Sequence, residues 1–345
     1  MPDITSDPAV ALPPPAGRTP LLMRLLGLLP GCAVLLAAAV VHADFDQPLS
    51  VRNTSPIAGL YGLPAWQRSG DGVGVRLEQG SNFTGSTRGV SQVILDGETT
   101  VAAFTVNQFA GQGWSWGLEL PVVRHEGGFL DGFLEGYHDL FGLPDGGRGP
   151  APRNRLLYAV DVPGQRGVML TSSRTHMADM RFHVGRSLVQ SGPHSLSLQT
   201  LLKLPTGTAR SISGSGAVDA GAWLQYQARG LDGSGRVSLS AMLGGTWLGR
   251  GDLVADRQST FLPAGHFGLS LRIHERLRLL AQVDAHGALF DLAGLDVLNR
   301  PGVLGTIGGR LRLAGAVCLE AAVVEDLVGR SASDVVFRLA LLSGC

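Results

Sequence analysis

Of the chain's 28 basic side chains only Lys203 is a lysine, and 28 acidic residues bring the formal charge to zero. A neutral chain without a basic cluster has no electrostatic footprint for nucleic acid, so no nucleic-acid partner is expected. The three cysteines, Cys32, Cys318 and Cys345, form no zinc or redox spacing, and no motif implies a cofactor. Aromatic residues make up 6%, which is sparse for the aromatic girdles of a membrane barrel. The one long apolar run, from Leu25 to Val41, is interrupted by Pro30 and is short for a spanning helix. What is abundant is hydrophobic residue, 44%, too much for a disordered chain, together with 49 glycines.

The pattern of that apolar content is alternating. From Ala217 to Arg229 the even positions Val218, Ala220, Ala222, Leu224, Tyr226 and Ala228 are apolar or aromatic. The odd positions carry Asp219, Gly221, Gln225, Gln227 and Arg229, with Trp223 as the exception. After a turn at Gly230–Gly233, Val237, Leu239, Ala241, Leu243 and Trp247 alternate with Arg236, Ser238 and Ser240. Upstream, Leu196, Leu198, Leu202 and Leu204 oppose Ser195, Ser197, Gln199 and Lys203. Alternation marks strands whose two faces meet different surroundings. Runs of about ten to thirteen residues suit a tilted membrane-crossing strand better than a soluble sheet.

Taken in order, residues 1–43 read as an N-terminal extension and a cleavable signal. Met23 is the natural start, Arg24 supplies the charge, and Val41-His42-Ala43 is a small-residue cleavage site. An uncleaved anchor and a lipoprotein site at Cys32 are the competing readings. Residues 44–70, with Pro48, Pro56 and Pro64, read as an irregular periplasmic lead-in. Residues 71–345 form the barrel as one domain. Short turns are expected at Ala110–Gln112, Pro163–Arg166, Ser191–Pro193, Gly230–Gly233, His274–Glu275 and Ala314–Gly315. Longer loops are expected at Ser81–Val90, Arg124–Asn154, Pro205–Gly216, Arg250–Ala264, Gly287–Gly302 and Asp326–Ser333. The connection near Ser172–Thr175 is short where this scheme wants a long one. Turns on one side and loops on the other describe an antiparallel transmembrane β-barrel of about 12–14 strands, all-β apart from one short loop helix. A secreted β-sandwich is the alternative.

Register supports the barrel. Arg236, Arg272, Arg278, Arg310, Arg312 and Arg338 all fall on the face opposite their apolar neighbours. A one-residue slip would turn them into lipid, at ~2–4 kcal/mol for each arginine near the midplane. Arg186 breaks the pattern and must lie at an interface. Trp247, Tyr226, Phe267 and Phe182 are the girdle residues expected. Cys318 shares the inward face of Glu320, whereas Cys345 has the parity of Leu341, so no disulfide between them is expected.

Several stretches also carry a resemblance: Val51-Arg52-Asn53-Thr54-Ser55-Pro56, Leu95-Asp96-Gly97-Glu98-Thr99, Leu202-Lys203-Leu204-Pro205-Thr206-Gly207, and His125-Glu126-Gly127-Gly128-Phe129-Leu130-Asp131 with its continuation to Arg148. In that order they resemble an uncharacterised bacterial outer-membrane family catalogued as a domain of unknown function. The resemblance covers most of the chain after the signal and implies a barrel with a periplasmic N-terminus and no assigned activity. One departure is the ending Leu342-Ser343-Gly344-Cys345, where outer-membrane barrels commonly present an aromatic residue to the assembly machinery.

Three kinds of chemistry follow. In the loop after Arg124, Phe129, Phe133, Leu134, Tyr137, Leu140 and Phe141 form one side of a short helix and Asp131, Glu135, His138 and Asp139 the other. Glu135 and His138 have the spacing of metal ligands, but no second such motif exists, so a structural cap, plug or interfacial helix is the plainer reading and no metal is expected. A hydrolase needs serine, histidine and a third group in contact. His183 and Ser187 share a face but stand ~13 Å apart along a strand. The inward face is the third: Arg181, His183, Arg236, Arg272, Arg278, Asp284, Arg310, Arg312, Glu320 and Arg338 are expected to line the lumen. They serve either a wall-bracing network or a pore favouring anions. The sequence thus points to an outer-membrane protein of a Gram-negative bacterium that passes or binds a small solute, with arginines favouring an anionic one. Its expected partners are outer-membrane lipid, the assembly machinery and that solute. A lipid-modifying enzyme or an adhesive barrel is the alternative.

Overall fold

In the computed structural model the described residues are 45–141, 152–292, 294–329 and 331–345, those of 137–141 by backbone only. All belong to one compact unit, Ala39–Cys345. Alternation builds long antiparallel strands: β1 (Gly72–Arg88), β2 (Ser91–Gly111), β3 (Trp114–Glu126), β4 (Leu157–Asp161), β5 (Val168–Leu170), β6 (Arg174–Met177), β7 (Met180–Ser191) and β8 (His194–Leu204). They continue as β9 (Asp219–Ala228), β10 (Val237–Leu248), β11 (Phe261–His274), β12 (Leu277–His286), β13 (Gly302–Arg312), β14 (Val317–Asp326) and β15 (Val335–Ser343). Each wall strand pairs with its neighbours, and β1 pairs with β15, so the sheet closes into a 12-stranded barrel.

Three local features reconcile the expected and observed strands. The β4–β5 hairpin, turning at the expected Pro163–Arg166, extends the upper edge of β2 and is not part of the wall. β6 and β7 both pair with β3 and are two pieces of one wall strand broken at Ala178–Asp179, and the short connection near Ser172–Thr175 joins the β4–β5 hairpin, outside the wall, to the start of β6. The loop expected at Ser81–Val90 is a correction: strand pairing runs on to Arg88↔Ser91, leaving only Gly89 and Val90 as the turn. Thr84 to Arg88 are polar and solvent-exposed or half-buried, a composition that suits a ribbon above the membrane as well as a loop.

Closure separates two surfaces. Outward residues such as Leu243, Ile307, Phe267 and Leu339 are more than half exposed, and Ser240, Gln282, Arg310 and Arg338 between them are buried. Trp247 packs on Phe261 near the loop end, and Phe182 stacks on Trp116 nearer the turn end. Phe267, expected in a girdle, sits mid-wall between Ala241 and Val283. Arg186 lies over the Trp114 ring and donates to the Gln112 carbonyl at the β2–β3 turn, a place at the rim.

The helix α1 (Asp131–Phe141) forms as expected, but its buried face differs. Leu130 and Leu134 pack on Val335 with Phe337 against them, while Phe129 and Phe133 are exposed, Phe133 meeting the Phe337 ring edge-on. Phe337 points out of the wall, so α1 lies on the barrel's outer flank and not over its mouth. The chain reaches it by crossing the Glu98 carboxylate. Gly128, at φ +77°, permits this, because a Cβ there would stand 1.8 Å from Glu98 Cδ. Glu98 Oε1 then accepts from the amides of Phe129 (2.6 Å) and Leu130 (2.5 Å).

Residues 45–70 are the largest departure from the expected placement. They form no strand, as their prolines require, but the chain runs inside the barrel. It enters at the turn end and rises to Asn53. There it turns through a short 3-10 segment at Ala58–Leu60 and descends to β1. The apex residues Ile57, Leu60, Tyr61 and Leu63 join Val93, Leu95, Tyr158, Val160, Leu253, Phe290 and Leu298 in the main apolar cluster, under the long loops. Each large apolar side chain fully buried there contributes ~1.5–3 kcal/mol, which anchors the apex.

The cysteines also correct an expectation. Cys318 and Cys345 are disulfide-bonded, with Cα atoms 6.0 Å apart. Strand parity ends at Ser343, and Gly344, at φ +71°, turns Cys345 back to the inner face.

Candidate functional site: the occupied lumen

The inner hairpin is held mostly through polar contacts, because the inward face of the wall is polar. On the rising arm Arg310 Nη1 donates to the carbonyls of Phe45 and Gln47, both at 2.7 Å, and Nη2 to that of Pro48 at 3.3 Å. Gln282 Oε1 accepts from the Leu49 amide (3.0 Å) and its Nε2 donates to the Leu49 carbonyl (3.1 Å). Asn53 reaches His286 and the Ser331 carbonyl. On the descending arm Asp219 accepts from the Gly62 amide (2.8 Å), and Gln225 brackets Gln67 through both its amide and its carbonyl. Long wall side chains thus stand in for a second strand, satisfying the backbone groups that an irregular buried segment would leave unpaired.

The predicted inward residues therefore divide by role. Arg310 and Glu320 are fully buried, 2.5 Å apart, and Glu320 also takes Arg338 at 2.8 Å. Arg278 pairs with Asp46 of the hairpin and donates to Ser270 (2.7 Å). Arg312, half-buried, lies over the Phe45 ring at 4.4 Å. These four arginines grip the hairpin or the wall. Arg236 is a correction: it sits at the start of β10 beside the turn and is exposed. Arg272, half-buried, donates to the Gly235 carbonyl at the same end. β10 begins only at Val237, so Arg236 lies outside the wall, whereas Arg272 stands opposite the buried Arg278 on β12.

Arg181 belongs to a different group, with Arg52, Arg76 and Glu119, three residues that sequence reading missed as site residues. Glu119 on β3 accepts from Arg52 of the hairpin through both oxygens (2.8 Å each). Its Oε1 also takes Arg76 of β1 (3.1 Å) and Arg181 of β7 (3.2 Å). Arg76 further meets Glu78 at 3.1 Å. Their side chains are buried, and the Nε atoms of Arg52 and Arg181 make no hydrogen bond, nor does either ring nitrogen of the adjoining His183; the Nε atoms of Arg278, Arg312 and Arg338 likewise make none. Two cavities of about 40 Å³ border the cluster. One, towards the loop end, is lined by Arg52, Tyr61, Leu63, Val101, Pro121, Val123 and Arg181. The other, towards the turn end, is lined by Ser50, Trp66, Arg68, Thr105, Asn107, His183 and Arg338, and both include Arg76 and Glu119. The signal that could have found Arg76 and Glu119 was their inward parity; Arg52 carries no strand parity at all.

A serine, a histidine and an aspartate do meet. Ser240 Oγ lies 2.9 Å from His266 Nε2, and His266 Nδ1 lies 2.8 Å from Asp284. The order is that of a hydrolase triad. However, Ser240 is buried, the His266 ring is covered by Trp66 at 5.5 Å, and neighbouring strand amides are consumed by the ladder. With those amides spent on the ladder, the arrangement reads as a wall-bracing hydrogen-bond chain. Of the loop-helix residues, Asp131 accepts from the Asn154 amide (2.7 Å) and Glu135 pairs with Arg153. The His138 side chain lies outside the described residues. Among these, no three His, Cys, Asp or Glu side chains gather as a metal would need.

The fold has counterparts. The crystal structure of the COG4313 outer membrane channel from Pseudomonas putida F1 aligns over 88% of this chain and 99% of its own, with TM-score 0.52 and 9% identity. The NanC porin aligns over 79% of this chain and 98% of its own, with TM-score 0.45 and 9% identity. A Pseudomonas aeruginosa FadL homologue covers 90% and 99%, with TM-score 0.39 and 10% identity. At these identities the likeness is one of fold, that of outer-membrane barrels. No curated protein matches the sequence. A family described as protein of unknown function (DUF3187) matches residues 24–344.

Proposed function

The chain belongs to the DUF3187 family, and from that premise we propose that it is an outer-membrane channel for a small anionic solute, kept closed by its own N-terminal hairpin. The observation that carries the reading is the group of Arg52, Arg76 and Arg181 around one carboxylate, with a cavity on either side. Excess guanidinium in a low-dielectric lumen lowers the barrier for anions and raises it for cations. The hairpin supports the closed state, because it fills the lumen while remaining joined to the wall mainly by polar contacts that water can replace. Export by a signal ending at Ala43 fits this arrangement. Asp44 would then be the first residue, one step before Phe45, whose carbonyl Arg310 holds.

The test is planar-bilayer conductance of residues 44–345 beside the same barrel lacking residues 44–69, each first shown to be folded by its shifted mobility on an unheated gel. The expected result is little or intermittent current from the first and steady, anion-favouring current from the second. Cation preference in the hairpin-free barrel would overturn the proposal.

A further inference from the structure

We infer that the Arg52–Arg76–Arg181 cluster is a binding site for a small free carboxylate, whose place Glu119 takes when the solute is absent. The inference rests on the reading of the lumen as a solute route. Arg52, Arg76 and Arg181 are set apart by converging on one carboxylate between two cavities, and the Nε atoms of the Arg52 and Arg181 side chains, both buried, make no hydrogen bond. Burying such donors unpaired is costly, and proteins seldom retain them without a ligand or water to meet them.

Charge points the same way. Among the described residues, the ion pairs of Arg52, Arg76, Arg181, Arg310 and Arg338 are made with Glu78, Glu119 and Glu320, five guanidiniums to three carboxylates. The geometry selects the class of anion. Arg52 grips Glu119 fork to fork through two parallel bonds of 2.8 Å, the arrangement that suits a planar pair of oxygens. The outer cavity beside it is walled by Leu63, Val101, Pro121 and Val123, which suits an apolar body attached to that carboxylate. Because Arg52 comes from the hairpin and the other two from the wall, a carboxylate that replaces Glu119 also loosens a tie between the two.

Chemical rescue tests this. Glu119→Ala removes the resident carboxylate from among the three guanidiniums and should lower the thermal midpoint of the refolded mature chain. Sodium acetate should restore most of that loss in a concentration-dependent way, and sodium chloride at equal ionic strength should not. Glu119→Gln, which keeps the space filled, should gain nothing from acetate. Acetate acting no better than chloride would reduce the cluster to wall bracing, and inorganic phosphate acting better than acetate would overturn the carboxylate assignment. If the alanine variant does not refold, the unsubstituted chain and Arg181→Met serve instead: acetate should raise the midpoint of the first alone, and an equal response would sink the site. Failure of the two readings is separable. Rescue in a barrel that passes no current keeps the site and removes the channel, whereas anion-selective current without rescue does the reverse.

Discussion

Lys203 has no solvent exposure, and its Nζ lies among Asp179 at 2.5 Å, Asp219 at 3.4 Å, the Ser215 hydroxyl at 2.7 Å and the Ala217 carbonyl at 2.8 Å. Its two carboxylate neighbours have other duties. Asp179 accepts from the Gly207 and Ser215 amides and Asp219 from those of Gly62 and Gly249, so one cation ties a loop and the inner hairpin to β8. Lys203→Met leaves both carboxylates buried without a cation and is expected to cost ~3–5 kcal/mol, read by urea unfolding in lipid vesicles. A loss below 1 kcal/mol would show that water already compensates the pair. Spacing along the chain shows the inward parity of Lys203 but not its partners, because Asp179 sits at a break between strands and Asp219 on the next strand. Register across strands is not written in spacing along one.

At the scale of elements, the inner hairpin is the part with a behaviour of its own. Arg310 and Arg312 hold its foot, so the effect expected of replacing both with alanine is release of the rising arm more than a direct change in selectivity. A Ser50→Cys reporter should react faster with a membrane-impermeant thiol reagent in that variant, while the gel mobility of the folded barrel stays unchanged. Equal rates would mean that the apex cluster alone retains the hairpin. The β9–β10 turn supplies a pH prediction outside the wall. The Ser234 hydroxyl, then the Val237 and Arg236 amides, hold the exposed Asp232 carboxylate down to about 2. A depressed folded value means that the turn's stabilisation is present above the unfolded carboxylate range, near pH 3.9, and is lost as pH falls through about 2. Carboxyl-carbon NMR should give that low midpoint, and Ser234→Ala should raise it; an unchanged midpoint would assign the shift to the backbone amides. The helix α1 was legible as a helix from its periodicity, but not its docking, since Leu130 and Leu134 chose the flank of β15 through a contact more than two hundred residues away.

For the molecule as a whole, closure decides which solvent each face meets. Leu243, mid-strand on β10 and 75% exposed, stands in lipid on this reading, whereas Ser240 and Met242 beside it face the lumen. Leu243→Arg is therefore expected to destabilise the barrel by ~2–4 kcal/mol in vesicles, measured by folding titration in urea. No loss in vesicles would place this face in water. The Cys318–Cys345 bond closes the end of β15 onto β14 across 27 residues of chain. Cys345→Ser should lower stability by ~3 kcal/mol in the same assay, mainly through the freer unfolded chain.

Alternation by itself determined the fold class and which side of each wall strand is polar, because a side-chain period of two is a property of the strand alone. Turn residues determined where most of the strands end. What only the tertiary structure decided is everything that depends on two distant segments meeting. That includes closure at twelve strands, the path of residues 45–70 through the lumen, the disulfide, and the gathering of Arg52, Arg76 and Arg181 on Glu119. Irregular chain has no period to read, so a segment rich in proline looks the same whether it lies outside a barrel or fills it. The polar wall chose the second, since the inward Gln282, Gln225, Asp219 and Arg310 satisfy a backbone that has no strand of its own to pair with.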